Sequence, residues 1–172
     1  MEQTTDSPVS EKRRQGFSEY RKSGGSAELY SQTEIGAPPE KIWTILMDFA
    51  QYPSWNPFIR EIRGTASVGA SLRVSLKPPG ARGMILRPVV RNVEPFSEFR
   101  WIGHFLVRGL LDGEHVFLIK ALEGGRSLFS QREYFSGFLL PLFEKVLKDA
   151  TSRGFYEMNE ALRARAEEQT SD

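Results

Sequence analysis

Between Asp48 and Ile59 the chain reads Asp-Phe-Ala-Gln-Tyr-Pro-Ser-Trp-Asn-Pro-Phe-Ile. Phe49, Tyr52, Trp55 and Phe58 are costly to leave in water, and Pro53 and Pro57 forbid one continuous helix or central strand. The segment therefore has to close a helix, turn, and launch a strand while burying its rings. A chain with such a joint mixes helices and strands around one core.

The flanking patterns agree. Leu29, Ser31, Thr33 and Ile35 alternate with Tyr30, Gln32 and Glu34, the period of a strand. Gly36-Ala37-Pro38-Pro39 ends it, and Ile42, Ile45, Leu46 and Phe49 then follow helical spacing. A second short helical piece is expected over Gln51 to Ser54. From Pro57 to Gly137 the pattern is β, with strands expected near 57–66, 70–77, 83–94, 98–107, 112–122 and 126–136 and short turns between them, an antiparallel meander. Phe143, Val146, Leu147, Ala150, Met158, Ala161 and Leu162 then recur at helical spacing. They predict a last helix from Pro141 to about Arg165, roughly 37 Å long at 1.5 Å per residue. Residues 1–25 are polar and end in Gly24-Gly25, so they read as a flexible tail, as do residues 167–172. One domain, residues 26–166, lies between them.

Composition excludes several classes of function. Five of the 23 basic and four of the 22 acidic residues fall in residues 1–25, which leaves 18 of each in the remainder. A near-neutral domain lacks the basic face that nucleic-acid binding requires. Arg60, Arg63, Arg73, Arg82, Arg87 and Arg91 are spread over several strands and read as a solvated outer face. With no cysteine there are no disulfides and no zinc-thiolate sites. The two histidines form no HExxH and no three-ligand set, so no metal is expected, and no cofactor motif such as GxGxxG or a Walker loop is present. No apolar run reaches the ~18 residues of a membrane span, and a signal-peptide core is lacking. The expectation is a soluble, cytoplasmic protein.

A six- or seven-stranded antiparallel sheet has one apolar face. If it is strongly curved, a single long helix cannot fill its trough, and an apolar void is expected between them. The late hairpin sets which side chains face that void. A two-residue Gly124-Gly125 loop would oppose His115 to Tyr134. A three-residue Glu123-Gly124-Gly125 loop would oppose His115 to Glu133 and Phe117 to Gln131. The second register is preferred, because it joins the aromatic-rich faces of the two strands. It leaves Arg132 and Tyr134 on the other face. On the preceding strand, parity turns Trp101 and Gly103 inward and His104 outward. Gly154 within the last helix allows either close packing on a strand or space for a ligand. Asn56 suits a side-chain hydrogen bond to turn backbone. The apolar stretches Phe138–Phe143 and Phe105–Val107 are expected to be buried; exposed, they would form a patch for membrane or partner contact.

Several segments together resemble the START/Bet v 1-like superfamily, specifically its polyketide cyclase/dehydrase and lipid-transport type. They are Ala37-Pro38-Pro39-Glu40-Lys41-Ile42-Trp43, Asp48-Phe49 through Asn56-Pro57-Phe58, Leu111-Asp112-Gly113-Glu114-His115, Glu133-Tyr134-Phe135-Ser136-Gly137, and Arg153-Gly154-Phe155 with Met158-Asn159. The resemblance implies an α+β helix-grip fold: a curved antiparallel sheet of six to seven strands around a long C-terminal helix, with two short helices after strand one. It also implies a hydrophobic cavity as the site. The expected lining is Trp43, Trp55, Phe58, Trp101, Gly103, Phe117, Phe129, Gln131, Phe135, Phe143, Leu147, Gly154 and Met158. His115 and Glu133 are the candidate catalytic pair, with a structural polar pair and a ligand hydrogen bond as the competing roles. The expected partner is a hydrophobic small molecule such as a lipid, quinone or polyketide-like compound, with transient membrane contact. The alternative is an aromatase/cyclase-type enzyme working by acid–base catalysis.

Overall fold

The computed structural model describes residues 17–105 and 107–168. The chain runs β1 (Phe17–Ser23), β2 (Ser26–Ile35), α1 (Pro39–Met47), a 3-10 turn (Phe49–Gln51), α2 (Tyr52–Trp55), then β3 (Ile59–Arg63), β4 (Arg73–Leu76), β5 (Met84–Leu86), β6 (Val89–Glu94), β7 (Glu98–His104), β8 (Asp112–Leu122) and β9 (Arg126–Ser136). It closes with a helical element in three parts: α3 (Leu140–Val146), a π-helical segment (Leu147–Thr151) and α4 (Ser152–Glu167).

Strands β1-β2-β9-β8-β7-β6 form one antiparallel sheet, and β3-β4-β5 form a second. The single strand expected near 83–94 is thus two strands in different sheets. Pro88 has no N–H to give a ladder, so the chain changes partner there, from β4 to β7. The Pro88 carbonyl still accepts from Leu72 N at 2.8 Å, and Val90 N donates to Ala70 O at 2.9 Å, stitching the sheets together.

At the N-terminal end, Phe17–Ser23 belong to the sheet rather than to a flexible tail. They pair with β2 along their length, from Phe17↔Gln32 to Ser23↔Ser26. Gly24-Gly25 is a two-residue hairpin turn with Gly24 at φ +57°, a left-handed conformation that glycine adopts freely. The strand is docked by a Phe17–Tyr30 edge contact at 5.8 Å and by Ser18 Oγ against Ser152 Oγ at 2.6 Å. The rest of the expected tails, residues 1–16 and 169–172, lies outside the described residues.

The joint from Asp48 to Ile59 is solidly packed. Tyr52, Ile59 and Asn56 are fully buried. The Tyr52 hydroxyl donates to Leu46 O at 3.0 Å, and burial pushes its phenol pKa far up. Asn56 Oδ1 accepts from Phe58 N (3.0 Å) and Ile59 N (2.8 Å), which sets the turn into β3.

Helix α4 lies across β1, β2 and β9 and buries Phe155, Met158, Asn159, Leu162 and Ala166. Asn159 ties it down: its side chain donates to Ser31 Oγ at 2.8 Å and accepts from Gln131 Nε2 at 2.6 Å. Along this part of the trough the side chains Phe117, Phe129, Gln131, Phe155 and Met158 are buried between sheet and helix. Gly154 settles on close packing, because a Cβ there would overlap the Phe58 ring.

Candidate functional site

The β8–β9 hairpin turns through Glu123-Gly124-Gly125, with both glycines at positive φ. His115 therefore faces Glu133 and Phe117 faces Gln131. On the concave face one row across the sheet reads Leu29, Glu133, His115, Trp101, Val90. The next row towards the open end is Ala27, Phe135, Gly113, Gly103. Two glycines side by side leave a recess there.

That recess is one wall of a partly open cavity of about 120 Å³. It lies where α4 no longer covers the sheet. The opposite walls are α3 with the π-helical segment (Phe143, Val146, Leu147, Thr151) and the small sheet (Ile59, Val74, Leu76, Met84, Leu86). The lining is mainly apolar. Its polar side chains are His104, His115, Glu133 and Thr151, and no lysine or arginine among the described residues lines it. An enclosed volume of about 150 Å³ takes a single benzene-sized ring, so a larger guest would extend out through the open side.

His115 and Glu133 meet at the inner end. His115 Nδ1 lies 2.6 Å from Glu133 Oε2. The imidazole is buried, at 3% exposure, between Phe117 (4.2 Å), Phe155 (5.0 Å) and Trp101 (5.3 Å). With the carboxylate as acceptor, Nδ1 carries a proton, and a neutral ring then presents Nε2 as a lone pair. That Nε2 is buried and has no hydrogen-bond partner among the described residues. Glu133 Oε1 sits over Gly113, where a Cβ would come within 2.5 Å of it.

Of the residues expected to line the cavity, the structure brings Phe58, Trp101, Gly103, Phe135, Phe143 and Leu147 to it. Phe117, Phe129, Gln131, Gly154 and Met158 belong instead to the filled part of the trough under α4. Trp55 packs at a tilt against Tyr52 at 5.1 Å, and Trp43 meets Phe96 of the β6–β7 turn edge-on at 6.3 Å; neither lines the cavity. His104, expected outside, borders the cavity because it ends β7 at the rim. Its Nδ1 contacts Asp112 Oδ1 at 2.6 Å. Burial works against the Asp112 charge, but hydrogen bonds from His104 and from the Gly109 amide outweigh it and hold the carboxyl below its ordinary range. Gly113 is the functional position that sequence reasoning passed over. Its signal was present, since in the preferred register it stands across from Phe135 and one step from Glu133.

The apolar stretches expected to be buried are in part exposed. Phe138 is 85% exposed, Leu142 76% and Val107 60%. Phe105 and Phe143 pack on each other at 5.3 Å and use up the local core, which leaves their neighbours outside.

The sequence profile of the family described as polyketide cyclase/dehydrase and lipid transport matches residues 26–167. The chain belongs to this family. Among curated proteins, none matches it. Solved structures share the fold of this polyketide cyclase/dehydrase family member at low identity. The di-domain ARO/CYC StfQ from the steffimycin biosynthetic pathway is 14% identical over 83% of this chain and 51% of that one, with a TM-score of 0.67. The chain thus spans about half the length of that di-domain protein. The Zhui aromatase/cyclase from Streptomyces sp. R1128 is 12% identical over 83% and 94%, TM-score 0.66. A START superfamily protein from Mycobacterium smegmatis is 21% identical over 81% and 97%, TM-score 0.63. Among the described residues no helix is long and apolar enough to cross a membrane.

Proposed function

We propose that this family member binds and carries a hydrophobic small molecule in the half-open cavity, with its inner end against His115. The observation that carries the reading is an apolar recess lined by one largely buried ionisable pair, His115–Glu133, in which the buried Nε2 of His115 has no partner among the described residues. Apolar burial supplies the affinity: a guest hiding about 300 Å² gains about 7 kcal/mol at 25 cal/mol per Å² before association costs. The polar pair supplies selection. A neutral His115 offers Nε2 to a ligand O–H, while the Glu133 carboxylate and the absence of lining cations disfavour an anionic group at the inner end. A lipid, quinone or polyketide-like body carrying a hydroxyl meets both conditions.

The test is native mass spectrometry of protein incubated with a lipid extract. A bound mass lost in His115→Phe, which crowds the inner end, supports the reading. No bound mass under conditions that retain known apolar complexes defeats it.

One observation favours a second reading, acid–base catalysis of the aromatase/cyclase kind. Glu133 fixes the imidazole through Nδ1 and leaves Nε2 able to take a proton from an enolisable carbon and return it to oxygen. Full turnover of a poly-carbonyl substrate by His115→Ala and Glu133→Gln would exclude it.

A further inference from the structure

Three separate segments meet at the cavity's opening: the β4–β5 loop with β5 (77–87), the described part of the β7–β8 loop (105 and 107–111), and α3 with its flanks (138–148). They are tied together. Phe138 N donates to Gly109 O at 3.1 Å and Leu139 N to Leu110 O at 2.8 Å, while Met84, Phe105 and Val146 all border the same cavity. On these segments Phe138, Leu142, Val107 and Ile85 are each more than half exposed. Large apolar side chains concentrated on one rim mark a contact surface.

The same segments carry a one-sided charge. Lys77, Arg82, Arg87, Arg108, Lys145 and Lys148 are all exposed, and none has an ion-pair partner among the described residues. The one acid in the three segments is Glu144, which is paired with Lys22 at 2.6 Å. Two acids lie just beyond: Asp112, engaged by His104 and the Gly109 amide and attracted electrostatically by Arg108, and the exposed Asp149. Outside these segments residues 26–172 hold 12 basic and 17 acidic residues, so the positive excess is local to the opening.

We propose that the rim docks on an anionic lipid bilayer, the apolar tips entering the headgroup region and the six cations meeting the lipid charge. An acidic protein would satisfy the cations but not Phe138 and Leu142, which protrude without a groove-shaped partner surface; a bilayer satisfies both. The proposal rests on the carrier reading above, since it supplies the route by which an apolar guest reaches the cavity without crossing water.

The experiment is co-sedimentation of the full chain with vesicles of phosphatidylcholine alone and of phosphatidylcholine with 30% phosphatidylglycerol, beside uptake of an apolar fluorophore into the cavity. At low salt we expect about tenfold stronger binding to the anionic vesicles, a preference that collapses near 0.5 M salt as charges are screened. Arg108→Glu with Lys145→Glu removes the preference, and Phe138→Ser with Leu142→Ser weakens binding to both vesicle types. Neither pair lines the cavity, so fluorophore uptake stays unchanged. Equal or absent binding to the two vesicle types, variants that sediment like the parent, or capture by polyglutamate alone would overturn the docking proposal. Vesicle binding without fluorophore uptake upholds the docking and counts against the carrier reading instead.

Discussion

Glu133 rests over the bare α-carbon of Gly113. Its Oε1 occupies the place a Cβ would take, within 2.5 Å, while its Oε2 reaches His115 Nδ1 at 2.6 Å. The missing side chain is what lets one carboxylate fit between two strands and still orient the imidazole.

Gly113→Ala is therefore expected to push the carboxylate off His115. The fold survives at a cost of about 1–3 kcal/mol, the range for overpacking and for a lost buried polar contact. The specific sign is a change in the His115 tautomer balance, read by nitrogen NMR of the imidazole. Gly103→Ala is the control: a Cβ there meets only Pro88 Cβ, at 3.7 Å. It should leave the histidine signal unmoved and reduce binding of the larger guests.

Gly154→Ala sets two effects against each other. Alanine gains about 1 kcal/mol of helix propensity, but the new methyl overlaps the Phe58 ring, and overpacking costs about 1–3 kcal/mol. Phe58 is also held against Phe155 at 5.6 Å, so it cannot swing aside freely. Overpacking should win, with a lowered Tm. Combined with Phe58→Leu, the loss should be smaller than the sum of the two single losses.

Asn56→Ala removes the acceptor of two buried backbone amides, Phe58 N and Ile59 N. A loss of about 1–3 kcal/mol is expected, measured by denaturant unfolding. Asn56→Asp, which keeps the acceptor oxygen, should recover part of it near neutral pH.

Stability should fall in acid. Burial penalises the Glu98 charge, yet hydrogen bonds from Asn92 and Arg100 and the Arg100 charge prevail and hold its pKa below the ordinary 4.5. A depressed folded-state pKa means this contribution is present above about pH 4.5 and is lost as pH falls through the folded value. Glu98→Gln should flatten that part of a Tm-against-pH curve while leaving the neutral range lower and parallel.

The strand pair 112–122 and 126–136 was legible to its ends, because period-two alternation on both sides of a glycine loop specifies the register once one face is apolar. The helical joint at Asp48–Ile59 was legible for a similar reason: its rings had nowhere else to go. What escaped was decided by distant contacts. β1 is mostly polar, and its Ser, Glu, Arg and Lys look like solvent-exposed chain; only pairing with β2 and the Ser18–Ser152 contact make it a strand. The break at Pro88 was visible as a proline, but the second sheet it creates was not. Trp43, Trp55 and Phe117 are as aromatic as Phe58 and Trp101, and composition cannot say which of them α4 covers. The void survives only past the point where α4 leaves the sheet, beside the Gly103–Gly113 recess and the π-helical segment.

The central claim is that this recess holds an apolar guest. The most direct measurement is titration of the protein with an environment-sensitive apolar fluorophore, parent against Gly103→Phe, whose ring would plug the recess at a position where a Cβ meets open space but for Pro88. The account predicts saturable one-site binding by the parent and at least a tenfold loss in Gly103→Phe at unchanged Tm. Identical binding by both proteins, or none by the parent, would contradict it.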